Sequence, residues 1–115
     1  MYEYKCFTVR VVDGNTIDAE IDLGFNVLVR QRIKLYGVNV PDIRSYDEQE
    51  KARATAARDR LVELLGKEFV CQTIMNKRGK AGRTLGQAYV LDVNGQKIDV
   101  NKTLIDEGFA TKFGE

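Results

Sequence analysis

The first third of the chain reads as strands. Cys6 to Val12 is rich in aromatic and β-branched residues, which favour a pleated, half-buried surface. Asp13-Gly14 supplies a turn signal, and a second β-rich run follows from Asn15 to Ile21. Leu23 to Asn26 reads as another reversal. From Val27 to Tyr36 the alternation has a period of two: Val29, Gln31, Ile33 and Leu35 point one way, and Arg30, Arg32, Lys34 and Tyr36 the other. One strand face therefore carries three cations in a row.

The alternation breaks at Gly37-Val38-Asn39-Val40-Pro41-Asp42, where Gly and Pro mark a loop. Ser45 and Glu48 have the spacing of a capping box, with Asp47, Glu48 and Glu50 in the first turn of a helix whose dipole favours anions there. The period changes to 3.6 up to Leu65: Ala54, Ala57, Leu61, Leu64 and Leu65 form the apolar stripe, and Gly66 ends the helix. Strands are expected at Glu68 to Ile74 and Thr84 to Val93, separated by the basic, glycine-containing loop from Asn76 to Arg83. Asn94-Gly95 is a tight-turn dipeptide. Asp99 caps a short final helix, Val100 to Glu107, and Phe109 to Glu115 is a tail. The order β-β-β-α-β-β-α, with the long helix between the third and fourth strands, predicts a mainly β α+β fold. Its expected form is a five-stranded Greek-key barrel of the OB type.

Composition narrows the chemistry. The 115 residues fit one domain, taken as 1–115, and are long enough to bury a core without staples. There is no His, which excludes His triads, His general bases and His-ligated zinc. Cys6 and Cys71 are too few for a disulfide framework and lie in apolar, strand-like runs, so two buried free thiols are expected. The net charge of +1 argues against a generic polycation and leaves room for a local basic patch. Neither a leader-like apolar segment nor a membrane-spanning stretch is visible. The expectation is a cytoplasmic domain without membrane contact, with a monomer favoured.

Four features could carry function: the Asp13-Gly14-Asn15-Thr16 turn, the Arg30/Arg32/Lys34 face, the Asn39-Val40-Pro41-Asp42 loop and the Lys77–Arg83 loop. Taken singly, each has an ordinary reading as a hairpin turn, a solvated face or a surface connection. Their order is more specific. Asp13-Gly14-Asn15-Thr16 leads to Lys34-x-x-Gly37-Val38-Asn39-x-Pro41-Asp42, then to a helix and Gly82-Arg83-Thr84-Leu85-Gly86. Val100-Asn101, Leu104-Ile105 and Gly108-Phe109-Ala110 follow. Over about residues 7 to 110 this succession resembles the staphylococcal nuclease family.

The resemblance implies an OB-type barrel that hydrolyses phosphodiester bonds of DNA and RNA with one Ca²⁺. In that pattern two Asp carboxylates hold the metal, a Glu after Pro activates water and two Arg grip the phosphate. Here the corresponding positions are Asn15 and Asn39 for the metal, with Asp13 beside them, Asp42 for the base, and Lys34 and Arg83 for the phosphate. Asn keeps the shape of Asp and loses its charge, and Ca²⁺ affinity follows ligand charge. Lys meets a phosphate as a point charge and not as a fork. A nucleic-acid-binding domain that is weak or inactive as a nuclease is therefore expected. Arg30, Arg32, Lys34, Lys77, Arg78, Lys80 and Arg83 would face phosphates, Tyr36 would stack, and single-stranded DNA or RNA would be the partner. The competing expectations are an active Ca²⁺-dependent phosphodiesterase with Asp42 as base and Lys34 and Arg83 on the phosphate, and a protein-interaction module.

Overall fold

The computed structural model describes residues 2–78 and 84–112, with the side chains of residues 75–78 left aside. In chain order the elements are β1 (Glu3–Asp13), β2 (Thr16–Asp22), β3 (Leu28–Leu35), β4 (Val38–Asn39) and α1 (Glu48–Leu65). They continue with β5 (Glu68–Arg78), β6 (Thr84–Leu91), β7 (Lys97–Asp99), α2 (Val100–Asp106) and β8 (Thr111–Lys112). β1, β2 and β3 form an antiparallel meander, and β5 and β6 a second antiparallel pair. β1 joins them: Glu3 to Phe7 pair with β5, while Cys6 to Asp13 pair with β2. Irregularities in its register between Thr8 and Arg10, and between Val11 and Asp13, mark where the strand leaves regular pairing. The ring closes where β3 runs parallel to β6, with Ile33, Lys34 and Leu35 opposite Thr84, Leu85 and Gly86. The result is the expected closed five-stranded barrel with two helices; β7 extends the sheet beyond β6.

Inward positions of the barrel strands supply Cys6, Ile17, Ala19, Ile33, Leu35, Cys71 and Ala88, and the helices add Leu61, Leu65, Val100 and Leu104. Both thiols are buried and unpaired as disulfides. A hydrogen bond with Cys6, reinforced by burial, pushes the Cys71 thiol up. The buried stripe of α1 is Ala54, Ala57, Leu61 and Leu65; Leu64 flanks it, packed at the margin of the core. The small side chain of Ala57 lets the Gly14 turn approach the helix closely.

Three local features differ from the sequence reading. The N-cap of α1 is Asp47, whose side chain accepts from the Gln49 N–H, because the Ser45 hydroxyl accepts from Asp47 N–H and donates to Glu50. The strand expected to end at Ile74 runs on to Arg78, so Asn76, Lys77 and Arg78 lie on β5 and not in the expected loop. The expected loop at Val38-Asn39 and the start of the expected tail, Thr111-Lys112, pair as a two-stranded sheet. Segments of two residues carry no readable period. Among the described residues no helix is long and apolar enough to cross a membrane.

Candidate functional site

Strand pairing gathers the first two candidate segments at one end of the barrel. The β1–β2 turn places Asp13 opposite Thr16, and β2–β3 register places Thr16 opposite Lys34. Leu35 N–H donates to Asn15 O, locking the turn to the end of β3. A Cβ on Gly14 would lie 2.8 Å from the Ala57 Cβ and 3.0 Å from Val40 Cγ1, so only glycine lets the turn lie this close to α1 and the loop after β4.

Asn15 is buried, and both ends of its amide are engaged. Nδ2 donates to Val38 O at 2.9 Å, and Oδ1 accepts from the Thr16 hydroxyl at 3.1 Å. A carboxylate has no N–H to offer Val38. The side chain therefore ties the β1–β2 turn to β4. On the same turn the Asp13 Oδ1 accepts from Asn15 N–H at 3.0 Å. Asp42 is exposed and its Oδ1 accepts from Arg44 N–H at 2.9 Å, an Asx turn within its own loop. Asn39 is exposed on β4.

This donor set does not fit the Ca²⁺ that the resemblance implies. Hard cations want several anionic oxygens. Here the Asn15 carbonyl oxygen carries no charge and already accepts from Thr16, Asn39 is neutral, and Asp13 and Asp42 each cap a backbone N–H. Among the described residues no group of three or more acidic or Cys side chains converges.

The cationic face of β3 is answered strand for strand by β2. Asp18 stands opposite Arg32, and Glu20 opposite Arg30. Arg32 meets Asp18 as a fork, with Nε–Oδ1 at 2.8 Å and Nη2–Oδ2 at 3.1 Å; Arg10 lies 3.9 Å from the same carboxylate. Arg30 reaches Glu20 at 3.4 Å. The Arg32 guanidinium holds the Asp18 carboxyl below its ordinary range. Lys34, opposite Thr16, has no carboxylate within 4 Å among the described residues. Tyr36, just past β3, is 41% exposed. Lys77 and Arg78 lie at the end of β5, their side chains outside the described set, and Lys80 and Arg83 lie outside the described residues.

Sequence reasoning passed over three groups. The acids Asp18, Glu20 and Asp22 alternate on β2 as the cations do on β3, and that shared period was the available signal. Asn101, on α2, is a buried tie like Asn15: Oδ1 accepts from Ala88 N–H, and Nδ2 donates to Tyr36 O and Gly86 O. Glu50, on α1, accepts from Asp42 N–H and from the Ser45 hydroxyl and so holds the loop that carries Asp42. In sequence Asn101 stands out only within the Val100-Asn101 pair and Glu50 only as a first-turn acid, and neither pattern predicts these bonds.

Compared with known families, residues 32–114 match the model described as staphylococcal nuclease homologue, almost three quarters of the chain. The match takes in Lys34, Asn39 and Asp42 and leaves the β1–β2 turn outside it. No curated protein matches the chain.

Proposed function

Because this chain belongs to the staphylococcal nuclease homologue family, we propose that it binds the phosphodiester backbone of single-stranded DNA or RNA without hydrolysing it at a useful rate. The observation that carries the second half is the hydrogen bond from Asn15 Nδ2 to Val38 O. The position where the family resemblance calls for a metal-binding carboxylate is occupied by an amide that the fold itself uses. Binding is supported by Lys34, the one cation of the β3 face with no carboxylate partner among the described residues. The basic sequence Lys77, Arg78, Lys80 and Arg83 adds four cations between Ile74 and Leu85. Arg30 and Arg32, held by Glu20 and Asp18, contribute less than their number suggests. Tyr36 lies at the end of the same strand as Lys34, where a base can stack on its exposed ring.

The test is fluorescence anisotropy with labelled single-stranded oligonucleotides, alongside a digestion assay in Ca²⁺. A domain meeting about three phosphates loses roughly tenfold to twentyfold in affinity between about 50 and 200 mM salt. That loss, with the oligonucleotide left intact, is the expected result. Ca²⁺-dependent cleavage abolished by Asp42→Ala would replace this reading with the hydrolase. Absence of salt-sensitive binding would end the nucleic-acid reading altogether.

A further inference from the structure

The β2–β3 hairpin has two ends. Thr16 and Lys34 stand opposite each other at one, and Asp22 and Leu28 at the other, about 20 Å away at the rise of a strand. From Leu23 to Val29 the sequence holds no charged residue. Phe25 is 100% exposed, and Leu23, Val27 and Leu28 are each about half exposed. Phe25 has a φ of 53° and Asn26 a φ of 63°. Asn tolerates the left-handed region, whereas a bulky aromatic residue is strained there. The turn is nonetheless fixed. Gly24 N–H donates to Asp22 Oδ1 at 2.8 Å, and Val27 N–H to Gly24 O and Leu23 N–H to Val27 O, both at 2.9 Å. The chain thus holds a strained aromatic residue wholly in water, two costs that burial within the domain does not offset. Beside it lies a hollow of about 430 Å³, lined by Phe7, Leu28 and Asp22 as well as by Phe25 itself. The charges around the hollow are of both signs. Asp22 has no cation within 4 Å among the described residues, and Arg30, outward on β3 like Leu28, reaches Glu20 only at 3.4 Å.

We propose that this tip is the contact of a two-fold dimer, in which Phe25 of each copy of the chain fills the hollow of the other. A knob and a hollow side by side on one patch suit an isologous contact, since the same surface serves both copies. The hollow is walled by an aromatic ring and a leucine, surroundings that favour a second aromatic ring. Asp22 and Arg30 carry opposite charges on one face of the hairpin, so a two-fold contact sets Asp22 of each copy towards Arg30 of the other. A lipid surface of anionic headgroups calls for a cluster of cations. Here the rim is balanced, and the charge nearest the tip is a carboxylate. The patch consists of a few apolar side chains, which puts the contact at the weak end of specific interfaces. The Lys34 end of the hairpin stays outside it, so this contact and nucleic-acid binding stand or fall separately.

Sedimentation velocity of the whole chain from roughly 1 µM to 1 mM, the span of weak to moderate affinities, is the test. The expected result is monomer at the low end and dimer at the high end. In the ¹⁵N-labelled chain, dilution should shift the amide signals of Phe7, Arg30 and the segment from Asp22 to Leu28. Phe25→Asn keeps a residue that accepts left-handed backbone and removes the ring. It should weaken association at least about tenfold, as for loss of a central aromatic anchor, and leave thermal stability unchanged or raised. A chain that is monomeric throughout, a dimer as tight in Phe25→Asn as in wild type, or dilution shifts that lie away from the tip would each overturn the dimer. Vesicles of equimolar phosphatidylcholine and phosphatidylserine form the parallel arm. A chain that stays monomeric in solution yet co-sediments with the vesicles, and loses this in Phe25→Asn, assigns the tip to a lipid surface and likewise overturns the dimer.

Discussion

Asn15 and Asp18 lie three residues apart at the start of the same hairpin and sit in opposite electrostatic worlds. Asn15 is 7% exposed, and its amide donates to Val38 O and accepts from the Thr16 hydroxyl. Asp18 faces outward on β2, ionised and forked onto Arg32. Where water is excluded the fold uses a neutral group with a donor and an acceptor, because an unpaired buried charge is costly. Where water is near it accepts a ladder of charges, each worth little to stability. The family resemblance calls for a charge at the first place, and the buried amide there supplies none.

The sharpest test of the buried side is Asn101→Ala. It removes one acceptor and two donor bonds and strands Ala88 N–H in the interior. A loss of about 2–4 kcal/mol is expected in urea unfolding. A loss below about 1 kcal/mol would mean that buried amides do not hold this barrel to α2.

Next in size is Asn15→Asp, which sets a carboxylate against the Val38 carbonyl. Without metal it should cost about 2–3 kcal/mol at neutral pH. Burial beside a carbonyl raises that carboxyl's folded pKa above the unfolded value of about 3.9. The folded state then holds its proton longer. The deficit should therefore be small below about pH 4 and grow as pH rises. Unfolding curves across pH check this. Recovery of stability on adding Ca²⁺ would show that a single carboxylate is enough to rebuild a cation site here.

The smallest effect belongs to the surface. Asp18→Asn frees Arg32 and, in part, Arg10. Oligonucleotide affinity should rise roughly threefold, with the salt slope steeper by about 0.7 per cation released. Because Arg32 depresses the Asp18 pKa, the pair's contribution to stability is present above the unfolded pKa. It is lost as pH falls through the lower folded value. Wild type and Asp18→Asn should thus converge in stability in acid. An unchanged affinity would mean that the β3 face does not contact the strand.

Much of the architecture was legible because it rests on local period. Val27 to Tyr36 showed alternation, Ala54 to Leu65 showed a helical stripe, and Asp13-Gly14 and Asn94-Gly95 showed turns. The β4–β8 pair was not legible, since two-residue strands have no period and exist only because α2 returns the chain to β4. The N-cap was misplaced by two residues because Ser45 and Asp47 are both competent caps, and the contest was decided by Glu50 taking the Ser45 hydroxyl. At the site, the identities of Asn15, Asn39, Lys34 and Asp42 were plain in sequence, but their bonds were not.

By itself the sequence determined the strand and helix order, the buried thiols, the absence of His chemistry and the loss of charge at Asn15 and Asn39. All of these follow from residue type and spacing along one chain. It took the tertiary structure to show that Asn15 and Asn101 are structural ties and that Arg30 and Arg32 are neutralised by β2. Those outcomes depend on which groups meet across strands and helices, and electrostatic energy is set by distance and by access to water rather than by order in the chain.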